Sequence, residues 1–425
     1  MARPEEPTAG DGVSAERPAA PRGVSIGAGE DGEAATHRRL PRNVWLLGWA
    51  SLLNDVASEM IYPLLPNFVV GVLGGSRTML GLIEGVAETI SSLLKLIAGG
   101  WSDRVRRRKA FVVSGYALAA VARPLMAVAR SPWDVFALRT ADRTGKGIRT
   151  APRDAVIAES TGPDVRGAAF GLHRAMDHLG AALGPVLATV FLWWRPDDLR
   201  SLFALTAVPG ACAVGLLWWG LREPAPGPSP AAGARTKLSE FAPSFRWYLV
   251  ALVLFTLGNS PDAFLLLRAE ELGVAKALLP TLWFGFHVAK SGGNALGGRL
   301  VDRLGARGML LAGWFVYAAV YAGFGAADAL WHVPALFLAY AIYFGLAEPA
   351  EKTLVAELVG AERKGAAYGW FNAAIGIVAL PSAVIFGALY DRFGPPAAFG
   401  WGAAMAFAGA VTLSFVRPAR TASAG

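Results

Sequence analysis

Gly99-Gly100-Trp101-Ser102-Asp103-Arg104-Val105-Arg106-Arg107-Arg108 ends one long apolar run and precedes another. Gly298-Arg299-Leu300-Val301-Asp302-Arg303-Leu304-Gly305 does the same, with its Asp-Arg pair 199 residues further on. The repetition reaches past these turns. Gly147-Ile148 returns as Gly345-Leu346, Ala158-Glu159 as Ala356-Glu357, and Gly167-Ala168-Ala169-Phe170-Gly171 as Gly365-Ala366-Ala367-Tyr368-Gly369, each at an offset of 198. Four matches at nearly one spacing mark a chain built from two copies of one unit. A membrane protein built this way places its site where the copies meet, near the bilayer midplane.

Apolar stretches recur around these landmarks: 43–70, 78–100, 110–129, 134–158, 167–193, 200–221, 246–268, 278–300, 308–326, 333–357, 366–389 and 396–416. Each is long enough to cross a hydrocarbon layer of about 30 Å as a helix. Hydrophobic residues make up 54% of the 425 and charged ones 17%, against roughly 25% charged in soluble proteins. The expectation is an all-α membrane protein with twelve transmembrane helices in two pseudo-symmetric six-helix bundles, 43–221 and 246–416. Residues 1–42, rich in Pro, Gly, Ala and charge, hold no apolar run and read as a disordered tail rather than a signal peptide. The stretch 222–245, with Pro224-Ala225-Pro226-Gly227-Pro228-Ser229-Pro230, reads as the linker between bundles, and 417–425 as a second tail. The lone Cys212 excludes an internal disulfide.

The net charge of +8 raises the question of nucleic acid, which the placement of the charge answers. With the tails, the linker and the turns after spans 2, 4, 8 and 10 on one side, that side carries 22 Lys and Arg and the other 6. By the positive-inside rule both termini are cytoplasmic, in an inner or plasma membrane, and no nucleic-acid partner is needed.

The 99–108 stretch resembles the loop signature of the major facilitator superfamily, G-x-x-x-D-R-x-G-R/K-R/K, with Arg106 in place of its last Gly; 298–305 resembles a second copy. Arg143-Thr144-Gly145-Lys146-Gly147 is similar to the family's fourth-helix motif R-x-x-Q-G, with Lys146 in place of Gln. Gly180-Ala181-Ala182-Leu183-Gly184-Pro185 resembles the fifth-helix antiporter motif G-x-x-x-G-P without its trailing glycines. The resemblance covers about 43–416. It implies a transporter, not an enzyme, working as a monomer by alternating access. It further implies that Asp103-Arg104 and Asp302-Arg303 latch one state, that Arg143 serves proton coupling, and that transport is antiport. Asp391-Arg392-Phe393-Gly394 looks like a third copy but falls on the opposite side, and is read as an ordinary turn.

A charge at the bilayer centre costs roughly 3 kcal/mol, and such residues face the bundle interior. Span 4 carries Arg139, Asp142, Arg143, Lys146, Arg149, Arg153 and Asp154, which at 100° per residue fall within about 140°. Asp55 and Glu59 lie four apart on span 1, beside Asn54, and Glu84 and Glu88 four apart on span 2. These four carboxylates and Arg143 are the candidates for proton coupling, as ionisable groups in a half-dry cavity. The competing reading is that most of these charges are interhelical ion pairs. Asn54, Lys146, Arg149, His173, Asp177, Asn259, Asp262 and His287 are the candidate solute contacts. Arg153-Asp154 and Glu351-Lys352 correspond at the 198 offset with charge order reversed, and are expected to meet when the cytoplasmic end closes. Asn259 and Asp262 flank Pro261, which is expected to break span 7. The Trp residues are read as interfacial or packing groups.

Gly145-Lys146-Gly147 imitates part of a phosphate-binding loop, but Thr140 occupies the required first Gly and no Ser or Thr follows Lys146. His173 and His178 point apart on a helix, so no metal or cofactor is expected. The function expected is proton-coupled efflux of a small solute, with protons and the lipid bilayer as the other partners. Alternatives are uptake of an anionic solute on the span 4 stripe, and a non-transporting membrane sensor or scaffold.

Overall fold

The computed structural model describes residues 40–105, 107–224, 237–359 and 363–416, without the side chains of Asp103, Pro163, Asp164, Ala295, Arg299 and Asp302. The 1–42 tail (save its last three residues), most of the linker and the 417–425 tail therefore lie outside the described residues. Among the described residues all regular structure is helical. In the N-terminal half the helices are α1 (Arg42–Ile61), α2 (Arg77–Val105), α3 (Arg108–Leu125), α4 (Pro132–Glu159), α5 (Pro163–Trp194), α6a (Leu199–Leu205) and α6b (Ala207–Gly220). The C-terminal half holds α7a (Pro243–Gly258), α7b (Ala263–Glu271), α8 (Leu279–Leu304), α9 (Ala306–Ala326), α10 (His332–Leu358), α11 (Lys364–Phe393) and α12 (Pro395–Ser414). Eight of these units, α3, α5, α6, α7 and α9 to α12, are long and apolar enough to cross a membrane. The cavity charges described below fall mainly on the others, α1, α2, α4 and α8.

Local chemistry sets the ends. Ser131-Pro132-Trp133-Asp134 is a capping box. The Asp134 Oδ2 atom accepts from the Arg130 and Ser131 amides (2.8 and 2.9 Å), and Ser131 Oγ accepts from the Asp134 amide. Pro63 and Pro66 supply no amide hydrogen, and beyond Ile61 the chain continues as a 3-10 turn, Tyr62–Leu64, a short α turn, Leu65–Asn67, and a π turn, Phe68–Val72.

The seventh helix breaks at Asn259-Ser260-Pro261-Asp262, as Pro261 led us to expect, with Asn259 extended at φ −85° and ψ 91°. The carbonyls this frees find other donors. Ser382 Oγ reaches Leu257 O and Asn259 O, both at 3.1 Å, Trp401 Nε1 reaches Leu257 O, and Tyr317 Oη reaches Gly258 O. A broken helix at membrane depth is tolerated only with such replacement.

Close helix contacts carry the scaffold. A Cβ at Gly180 would stand 2.4 Å from Leu52 O, and one at Gly184 2.7 Å from Val56 O, so α5 presses backbone to backbone on α1. The two halves join from mid-helix to the end where α2 begins, which we call the loop end. Thr89 Oγ1 donates to Gly376 O (2.7 Å), Thr189 bonds Thr281 (3.0 Å) and Asn67 bonds Glu270. The opposite end, where Leu40 and Val416 lie, is the termini end.

Candidate functional site

Between the halves lies a cavity of about 400 Å³, within the range of small-molecule sites. It opens into a vestibule of about 710 Å³ that shares Asp55, Glu59, Lys146, Arg149 and His287 and runs toward the termini end past Arg153, Arg174, Lys290 and Lys352. Helices α1, α2 and α4 form one wall; α7, α8, α10 and α11 form the other.

The structure divides the charges of the first half into two sets. In the first, Arg139 grips Glu84 through two bonds (Nε to Oε1 2.8 Å, Nη2 to Oε2 3.0 Å) and reaches Asp142 at 3.4 Å. Arg123 binds Asp142 at 2.8 Å and also donates to Asn54 O and Oδ1 (2.8 and 3.0 Å). All five residues are buried. This network ties α1, α2, α3 and α4 together. Glu84, expected from sequence to exchange protons, is a bidentate structural partner here. Asn54 touches the cavity but is committed to Arg123 and, through Nδ2, to Asp55 (2.9 Å).

The second set faces the cavity without a charged partner. Among the described residues no cation stands within 4 Å of Asp55, Glu59 or Glu88, and no carboxylate within 4 Å of Lys146 or Arg149. Glu59 Oε2 accepts instead from Trp283 Nε1 across the two halves at 2.8 Å, and Glu88 from Ser92 at 3.3 Å. Arg143 also lines the cavity, 3.9 Å from Asp142. Asn259 and Asp262 reach it from the break in the seventh helix and His287 from α8. Tyr317 donates to Asn259 Oδ1 (3.1 Å), and Tyr340 to Asp262 Oδ1 (2.7 Å). Asp177 lines the vestibule, bonded to Ser51 and 3.5 Å from His173. His173 itself is buried and lines neither space.

The family model of the Major Facilitator Superfamily matches residues 47–267 and 261–424. The chain belongs to this superfamily. An uncharacterised MFS-type transporter of Methanocaldococcus jannaschii is 32% identical over 385 residues, covering 89% of this chain and 96% of that one. The multidrug resistance protein MdtH of Edwardsiella ictaluri is 29% identical over 142 residues, 33% of this chain and 35% of its own. A bacterial homolog of the human lysosomal transporter Spinster, solved inward-facing and unoccupied, superposes with a TM-score of 0.69 at 15% identity, covering 89% and 96%. As a superfamily member the chain is a membrane transporter and not an enzyme.

Two features of this superfamily member escaped sequence reasoning. The C-terminal wall is aromatic: Trp283, Tyr340, Tyr343 and Phe344 line the cavity, with Lys290 Nζ 3.6 Å from the Phe344 ring centre. Their spacings, Tyr340 to Phe344 and Trp283 to His287, were a legible helical-face signal hidden by reading the tryptophans as packing. The other feature is Asp391. It is no ordinary turn residue: its carboxylate accepts from the Arg77 and Thr78 amides (3.0 and 2.7 Å) and from Thr78 Oγ1 (2.6 Å), capping α2 from the other half. Arg77 pairs with Glu271 at 2.8 Å, and Tyr390 donates to Glu271 at 2.6 Å.

Of the gating candidates, Arg104 and Arg303 are exposed at the ends of α2 and α8, while the side chains of Asp103 and Asp302 fall outside the described residues. Arg153 is held by its neighbour Asp154 at 2.9 Å and shares the vestibule wall with Lys352. Among the described residues no ion pair joins the Arg153, Asp154, Glu351 and Lys352 set across the halves in this open arrangement.

Proposed function

We propose that this superfamily member exports a small solute in exchange for protons, through twelve spans in two six-helix bundles with both termini cytoplasmic. The vestibule then opens to the cytoplasm. The supporting observation is that Asp55 and Glu59, one turn apart on α1, face the cavity with no cation partner. A carboxylate fixed by an ion pair holds its charge, whereas one bonded only to neutral donors can trade a proton for a solute. Glu59 also touches the moving interface, since its bond to Trp283 joins α1 to α8. Protonating it weakens that tie, and solute binding replaces it. Export is favoured by the partial similarity to the multidrug resistance protein MdtH and by the glycine motif that seats α5 on α1.

The test uses protein reconstituted into vesicles with an imposed pH gradient, read by a pH-sensitive acridine dye while drugs, amino acids and organic ions are added. A solute that is exchanged should discharge the gradient. Asp55→Asn combined with Glu59→Gln should abolish gradient-driven flux of that solute. Retention of gradient-driven flux in the double variant would remove these residues from the mechanism, and a gradient that no solute discharges would count against exchange.

A further inference from the structure

Two groups in the cavity are committed to nothing that the fold explains. Arg149 is 4% exposed, yet its Nε and Nη1 atoms have no hydrogen-bond acceptor. Its guanidinium lies over the Tyr116 ring at 4.4 Å, which fixes the plane of the fork, and the residue lines both the cavity and the vestibule. The position is built for it. A Cβ at Gly115 of α3 would stand 2.7 Å from Arg149 Cβ and 2.5 Å from Gly145 O, so the α3 backbone withdraws to admit this part of α4. One turn before it, Lys146 lines both the cavity and the vestibule with no carboxylate within 4 Å. A buried guanidinium with unmade bonds is costly, and a planar fork matches a carboxylate or phosphate better than any other acceptor.

In the same wall of the cavity, on α1, stand Asp55 and Glu59, likewise without a cation within 4 Å. The exposed Glu88 on α2 adds to the negative side and Arg143 to the positive, while Asp262 is engaged by Tyr340. The unengaged groups thus carry both signs on neighbouring helices of one wall, and the opposite wall is aromatic. A solute of one sign would engage one set and leave the other without a partner. One bearing both signs adds no net charge and satisfies both.

We infer that the transported solute is dipolar: a cationic group seated on Asp55 and Glu59, an anionic group on Lys146 and Arg149, and an apolar or aromatic body against Trp283, Tyr340 and Phe344. This rests on the transporter reading above and names the solute class for that site. Flat rings suit the aromatic wall by stacking, and a cavity of about 400 Å³ admits a body the size of one or two fused rings.

Matched probes test it: tryptophan, tryptamine and indole-3-propionate, and phenylalanine, phenethylamine and 3-phenylpropionate, each titrated against the full chain in detergent while its thermal midpoint is read. In at least one set the zwitterion should raise the midpoint at a concentration at least tenfold lower than either singly charged mate. Arg149→Gln should erase the advantage over the amine, Asp55→Asn with Glu59→Gln the advantage over the acid, and Arg149→Lys should restore part of the first. Equal effects of a zwitterion and a mate, or no shift with either set, would overturn the inference. Failure of the transporter reading looks different: the zwitterion would stabilise the protein but not cross vesicles containing it. Flux of singly charged solutes without zwitterion preference would retain transport and sink the dipolar site alone.

Discussion

At the scale of single residues, the informative distinction is between charges that hold the bundle and charges left to the cavity. Arg139, Glu84, Asp142 and Arg123 belong to the first kind, each touching another within 3.4 Å. Removing one partner strands a buried charge, so Arg139→Ala should destabilise the protein by about 3–5 kcal/mol, read as a fall in the denaturation midpoint. Arg139→Met with Glu84→Gln should recover much of that loss, because the stranded charge goes as well. A single variant as stable as the parent would show that the network is solvated and unimportant. Glu59 is of the second kind. Trp283→Phe keeps an aromatic ring but removes the donor that Glu59 uses. It should alter the pH dependence of transport with little change in stability, checked by flux at several pH values beside a melting curve.

At the scale of helices, glycine placement decides how the cavity-lining elements sit. In an ordinary helix, Gly→Ala gains about 1 kcal/mol. At Gly180 the new Cβ would meet Leu52 O at 2.4 Å, and α5 would have to move off the helix that carries Asp55 and Glu59. Gly180→Ala should therefore lower the thermal midpoint and the transport rate together. A midpoint that rises would mean the contact is looser than described. This part was legible: the i, i+4 glycines at Gly180 and Gly184 announce a close helix contact, and Pro261 announced the break in the seventh helix. Neither announced its partner. That α1 is what α5 touches, and that Ser382 and Trp401 serve the opened backbone, depends on the packing of distant segments.

For the whole molecule, the loop end is held by bonds between the halves while the termini end is open. Asp391 caps α2, and Arg77 and Glu271 pair beside it. A cap of this kind contributes about 1 kcal/mol, enough to shift a balanced two-state equilibrium several-fold. Asp391→Ala should thus favour the arrangement open at the loop end. In a Cys212→Ser background, a cysteine placed at Ser291 in the vestibule should react more slowly with a water-soluble maleimide once Asp391 is changed. An unchanged rate would show that the cap does not bias access.

The apolar runs were enough to place most of the helices: the run read over 333–357 is the helix His332–Leu358, and that over 308–326 is Ala306–Ala326. Crossing a membrane is a sum over about 20 consecutive residues, so the information is local and survives without an alignment or a partner. The loop signature and the 198-residue repeat likewise lie in the linear order of residues, and carried the superfamily. Angular position on a helix was also legible, placing Asp55 with Glu59 and gathering the α4 charges into one arc. Which of those charges are paired was not. An arc says where a side chain points but not which helix faces it, and the difference between Glu84 in the grip of Arg139 and Glu59 against a tryptophan comes from segments 55 and 224 residues apart. The tertiary structure decided the ion pairs, the aromatic wall and the Asp391 cap, because each is a contact between helices whose mutual rotation is set only when all of them pack at once.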